Sequence, residues 1–396
     1  MMKMKKEDSI IYLDAACQGL VPKAVMDDIR NFLLNLENTS SPPLEVVQEM
    51  YNCLPKARKA LAELLRVSQE EIAIVESTSH GLGLIADSIP LNKENNILVS
   101  DLEFMAATIC WRARQEREGF EIREVKTHNG EVRASDFKSE IDKNSKAIVI
   151  SSVQEVNGFR TDIKEIRQLA KEYDCYLIVD GIQEAGALEV NLSELDVDVY
   201  CAGGHKWFRN PFGAGFLYIN KKILSELKPD FYGYFNIQEP KGGWINYLES
   251  ANRTPFEHFE LLKSAAKFET GGTGNFIGIF GLYKSITLVL DYGIANIEKK
   301  VRELNEHLST GLHSLDLKIE GSINPLYRSG ITTFSMSGGP EQEKALHAEL
   351  MKHNIYTSLR YAPETGGIRV APHYYNSLQE IDLLLEVTKN FLNSNL

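Results

Sequence analysis

Short apolar runs punctuate the first half of the chain: IAIV at 72–75, NILVS at 96–100, KAIVISSV at 146–153, CYLIVD at 175–180 and VDVYCAG at 197–203. They are brief, rich in β-branched residues and almost uninterrupted by polar ones, as strands buried on both faces require. Between them lie amphipathic stretches. IKEIRQLAKEYD places Ile163, Ile166, Leu169 and Ala170 on one helical face. This alternation predicts an α/β fold with a mostly parallel sheet flanked by helices. From about residue 280 the texture changes to a long helical segment, LYKSITLVLDYGIANIEKKVRELNEHLSTGLHSL. A strand-like ITTFSM, a helix from PEQEKALHAELMKH and a last helix from Gln379 follow. The pattern predicts a large domain over 18–280 and a smaller C-terminal α+β domain over 281–396, with segment 1–17 packing near the latter. NTSSPP (38–43) and EPKGGW (239–244) read as surface loops. The aromatic-rich stretch 231–259 has no clear period and reads equally as a pocket cover or a surface excursion.

Composition narrows the setting. The chain has 396 residues, and 43 Lys and Arg against 55 Asp and Glu give a net charge of −12. That balance disfavours nucleic acid as a partner. Five cysteines (Cys17, Cys53, Cys110, Cys175, Cys201) are scattered, odd in number and without CxxC spacing, so neither a disulfide framework nor a zinc site is indicated. The histidines lack tight metal-ligand spacing, and no metal is expected. The start, MMKMKKEDSIIYLD, reaches acids before any signal-like apolar stretch, and no later run approaches 18 apolar residues. The expectation is a cytoplasmic protein with no membrane partner.

Ligands of open α/β sheets gather beyond the carboxyl ends of the strands, and three polar features fall there. Asp180 closes the run YLIV, where an acid needs a cation, a hydrogen-bond donor or solvent. Lys206 follows VDVYCAGGH, where low-dielectric walls would lower its pKa and make it a nucleophile for carbonyl compounds. STSHGLG (77–83) can offer hydroxyls and backbone N–H groups to a phosphate at a helix start. Each alone has a plainer reading: a capping acid, a solvated lysine, an ordinary N-cap. Together they meet the needs of pyridoxal 5'-phosphate, with Lys206 holding its aldehyde as an internal aldimine and Asp180 pairing with its ring nitrogen. After substrate displaces the lysine, the freed amine would move a proton from the substrate α-carbon.

Seven ordered motifs, IYLDAACQG, STSHG, DLEF, VDGIQ, GGHKW, FETGGTGN and GIRVAPHYYN, span nearly the whole chain. In them the chain resembles the class V aminotransferase superfamily of fold type I pyridoxal-phosphate enzymes, especially its cysteine desulfurase-like branch. The resemblance implies that Thr78 and Ser79 bind the cofactor phosphate, that Phe104 stacks on the pyridine ring and that Asp180 keeps its nitrogen protonated. It also implies that Gln183 meets the phenolic oxygen, that His205 reaches the phosphate and that Lys206 forms the Schiff base. The usual serine two residues before that histidine is Gly203 here. Thr273 or Gly272 would complete the phosphate cup of a neighbouring subunit, making the active unit a homodimer. Arg369 would hold the α-carboxylate of an amino acid substrate with two parallel hydrogen bonds; Arg360 reads first as an ordinary arginine and only second as a further basic contact for an acidic side chain. Near QEVNGFR, either Gln154 or Asn157 would approach the cofactor. His80 reads equally as a cofactor contact or a capping residue, and Cys201 as a small core residue.

The reaction implied is aminotransfer through an external aldimine and a quinonoid, with a carbon–sulfur lyase or an epimerase as the alternative. Persulfide-forming desulfurisation ranks below both, because residues 331–370 contain no cysteine and Phe104 stands where a histidine is common. A catalytically idle relative that binds cofactor or a partner is the reading of another class, against which the intact Asp180, Lys206 and Arg369 speak.

Overall fold

A computed structural model describes residues 10–37 and 43–394. The first nine residues of segment 1–17, and NTSSPP apart from Pro43, lie outside these described residues. A short strand β1 (Ile11–Tyr12) precedes a seven-stranded sheet of β2 (Ile72–Val75), β3 (Asn96–Ser100), β4 (Glu121–Val125), β5 (Ser145–Ser151), β6 (Tyr176–Asp180), β7 (Val199–Gly203) and β8 (Gly215–Ile219). Its order is β2-β8-β7-β6-β5-β3-β4, and only β8 runs antiparallel to its neighbours. All five apolar runs are strands of this sheet. In β6, Leu177, Ile178 and Val179 are fully buried, each contributing about 1.5–3 kcal/mol of transfer free energy.

Helices cover both faces. Ile163–Glu172 packs with Ile163, Ile166, Leu169 and Ala170 buried, the face its period predicts, and Asp162 caps it by accepting from Lys164 N and Glu165 N. The long helical segment is two helices, Phe276–Tyr292 and Ile294–Ser314, bent by 81°. Between them Gly293 takes φ +85°, a conformation with little cost only for glycine. No single helix among the described residues is long and apolar enough to cross a membrane.

The C-terminal residues form a four-stranded sheet of β9 (Lys318–Ile319), β10 (Thr332–Ser335), β12 (Ser358–Ala362) and β13 (Thr365–Val370), in the order β12-β13-β10-β9. The remaining strand, β11 (Ile355–Tyr356), pairs in parallel with β1. The N-terminal segment then runs towards the large sheet, where Gly19 N donates to His205 O at 2.8 Å. A Cβ on Gly19 would lie 2.1 Å from Lys206 O, so only glycine admits so close an approach.

Candidate active site

The segments following β2, β3, β6 and β7, all at one edge of the sheet, converge with Ser151 at the end of β5 on a cavity of about 320 Å³. The end of the N-terminal segment and strands β12 and β13 close its other side. Of the residues singled out above, nine line it: Thr78, Ser79, Phe104, Asp180, Gln183, His205, Lys206, Arg360 and Arg369. Gly272 and Thr273 do not. Thr273 lies near the aromatic stretch, its Oγ1 3.1 Å from the Tyr234 hydroxyl.

Local sequence explains each placement. Ser77 caps the helix Thr78–Ser88 by accepting from His80 N, and Ser77, Thr78 and Ser79 present hydroxyls and N–H groups at its positive end. Thr78 Oγ1 accepts from Gly203 N at 2.8 Å, tying this turn to the end of β7. A Cβ on Gly203 would come within 3.1 Å of His205 Nδ1. Phe104, 47% exposed, presents its ring with the Lys206 Nζ 6.0 Å from the centroid.

Asp180 is buried at the end of β6. Its Oδ1 accepts from Ile182 N at 3.0 Å, and among the described residues its other oxygen accepts nothing. Burial pushes its pKa up to about 7 against the pull of that hydrogen bond and of Lys206. Burial likewise draws Lys206 down from its ordinary value, with Asp180 acting the other way. Among the described residues nothing accepts a hydrogen bond from Lys206 Nζ. His205 is pushed to about 4 by burial and then by Lys206, and so stays neutral. Gln183 is held at both ends, donating to Ala16 O at 3.0 Å and accepting from Trp207 Nε1 at 2.9 Å.

On the opposite wall, Arg369 is 1% exposed. Its Nη2 donates to Asp14 Oδ1 at 3.0 Å and to Ser358 Oγ at 3.1 Å. Its Nη1 donates to Glu155 Oε2 at 2.7 Å and to Glu155 O at 3.0 Å. Arg360 Nε stands 3.6 Å from the same Glu155 oxygen.

The loop after β5 therefore sends a different residue to the cavity from the two that its sequence suggested. Gln154 faces away and donates to Glu103 Oε1 at 2.9 Å, while Asn157 donates to Gly130 O at 2.7 Å. Glu155, between them, lines the cavity. Residues 155–157 form a turn, with Gly158 N donating to Gln154 O at 2.9 Å, so no period-2 alternation in the sequence marks which polar residue faces the cavity. Cys17 also lines the cavity and is exposed, another contribution of the N-terminal segment that its sequence position did not reveal. His80 turns back on the cap, with Nδ1 accepting from Glu76 N. Cys201 is fully buried. None of residues 231–259 lines the cavity.

An amine without an acceptor, a buried acid with a spare oxygen, an aromatic plate and a hydroxyl-bearing helix start form a donor set that fits an anionic pyridine aldehyde. The chain matches the family described as aminotransferase class-V over residues 11–384, and it belongs to that family of pyridoxal-phosphate enzymes. It is 25% identical to a probable cysteine desulfurase of Pyrococcus abyssi over 97% of this chain and 95% of that protein. It is 22% identical to an isopenicillin N epimerase of Streptomyces clavuligerus over 97% of this chain and 95% of that one. Among solved structures it resembles the cystine C-S lyase C-DES in complex with its product cysteine persulfide, with TM-score 0.85, 23% identity and 97% and 98% of the two chains covered. The architecture is that of a fold type I enzyme.

Proposed function

We propose that this protein binds pyridoxal phosphate and acts at the α-carbon of an amino acid or related amine, with aminotransfer as its reaction. One observation carries the reading: Lys206 and Asp180 share a single cavity, the first with an amine lacking an acceptor and the second with a free carboxylate oxygen. When bound, the cofactor supplies an aldehyde carbon for amines and a ring that takes up the electron pair of a bond broken at the α-carbon. Lys206 Nζ, biased by burial towards its neutral form, would accept the α-proton and pass it to the cofactor's aldehyde carbon, the single-base shuttle that aminotransfer needs. Asp180 keeps a proton on the ring nitrogen. Thr78, Ser79 and the helix N–H groups hold the phosphate, joined by His205. Phe104 would cover the ring face, Gln183 would meet the phenolic oxygen and Arg369 would orient the substrate carboxylate.

Gly272 and Thr273, away from this chain's own cavity, serve the phosphate end of a second copy in a homodimer. Cleavage of a carbon–sulfur bond is the second reading. It is supported by the exposed Cys17 thiol on the cavity wall and by relatives named as desulfurases. The deciding experiment is an absorption spectrum with added cofactor, followed by single amino acids and assays for keto acid and sulfide. A lysine-linked band that is converted stoichiometrically with keto acid supports aminotransfer; sulfide formed catalytically without an amino acceptor supports the lyase. Lys206→Ala should abolish the band and lower turnover by about 10²–10⁴-fold or more, and undiminished activity would remove the assignment.

A further inference from the structure

We infer that Glu155 is a built-in occupant of Arg369, and that an amino acid binds only by displacing it. The inference rests on the carboxylate-orienting part given to Arg369 above. Two guanidinium groups, Arg360 and Arg369, meet two carboxylates, Asp14 and Glu155, in this corner. Their formal charges cancel. An incoming anion therefore gains no net attraction while Glu155 remains in place.

The two acids are not equivalent. Asp14 is fixed from a second side by Ser358 Oγ at 2.8 Å, and its side chain is 10% exposed. Glu155 lines the cavity with its side chain 22% exposed. Its Oε2 faces both arginines, and among the described residues its Oε1 receives no hydrogen bond. It is the movable one.

Withdrawal of that side chain leaves Arg369 in position, because Nη1 still donates to the Glu155 carbonyl and Nη2 to Asp14. Arg369 Nε is buried and has no acceptor among the described residues, a donor left for a guest oxygen. Glu155 thus sets specificity. It weakens every ligand that needs Arg369 for a carboxylate, and spares ligands that do not.

The test compares Glu155→Gln with the parent protein. Loaded with pyridoxal phosphate, each is titrated with L-alanine and with L-alaninamide, whose carboxylate is a neutral amide, and the change in the cofactor band is followed. The expected result is that alanine binds about tenfold or more tighter to the variant while alaninamide changes by less than about threefold. Unchanged or weaker alanine binding, or equal shifts for both ligands, overturns the inference. Propanoate, titrated calorimetrically on cofactor-free protein, reads the same corner without the cofactor and should bind E155Q more tightly. A parent protein that gives no lysine-linked band would defeat the proposed function, while the propanoate titration would still decide the role of Glu155. Glu155→Ala should shift the two ligands in the same directions as E155Q.

Discussion

At the sheet end of the cavity, Lys206 and Asp180 are buried without forming an ion pair; at the other end, Arg369 is clasped between two carboxylates. Both ends bury charge, yet one leaves it unsatisfied and the other satisfies it. The unsatisfied end carries shifted proton affinities, Asp180 raised and Lys206 lowered, which suit groups that pass or hold protons. The satisfied end carries geometry. Unpaired charge is concentrated where chemistry is proposed, while the recognition end is braced by chain segments far apart in sequence.

The largest way to break this contrast is Arg369→Met. It would leave the buried Asp14 without its cation and Glu155 with Arg360 alone, and should cost about 3–5 kcal/mol in denaturant unfolding. Lys206→Met, which removes an amine lacking an acceptor, should leave the stability of the cofactor-free protein unchanged or raise it. Equal losses in the two variants would erase the distinction.

A smaller effect is expected from pH. The folded-state pKa of Asp180 lies above its ordinary value, so its contribution to stability is fully present below that ordinary value and is lost as pH rises through about 7. Between about pH 4 and pH 7, the window between these values, the cofactor-free protein should lose thermal stability, and Asp180→Asn should flatten that slope. A melting series with the parent slope retained in the variant would assign it to another group. The smallest effect belongs to Cys17→Ser: keto acid formation by aminotransfer should stay within about threefold, the scale of a side chain outside the proton path. A loss of sulfide production in the same variant would instead favour carbon–sulfur cleavage.

Much of the sheet end was legible in the sequence because local pattern determines it. Unbroken apolar runs stop at Asp180 and Gly203, and a strand that ends at a sheet's carboxyl edge delivers its next residues to the ligand side. The recognition end was legible in part. Arg369 stood in a recognisable motif, but its two acid partners are 214 and 355 positions away, and no local period encodes such pairing. Glu155 was missed between Gln154 and Asn157 because all three are polar and only the direction of the loop distinguishes them. The break at Gly293 escaped for a related reason: a single glycine in a helical pattern is compatible with continuation or with a turn, and packing decides. Strand β8 was hidden too, since nothing in GFLYI tells which way it runs.

The join between β1 and β11 also has a consequence for the order of events during synthesis. Residues Ile11 to Gly19, which pair with Ile355, brace Arg369 through Asp14 and touch the lysine loop, are made before any strand of the large sheet. Their partners on β11 and β13 leave the ribosome more than 340 residues later, which at about 5–20 residues per second is tens of seconds. The large sheet can assemble in that interval with its lysine already in place, but the wall bearing Arg369 closes only after β13 has been made. A nascent chain therefore has a place for a cofactor before it has a place for a substrate.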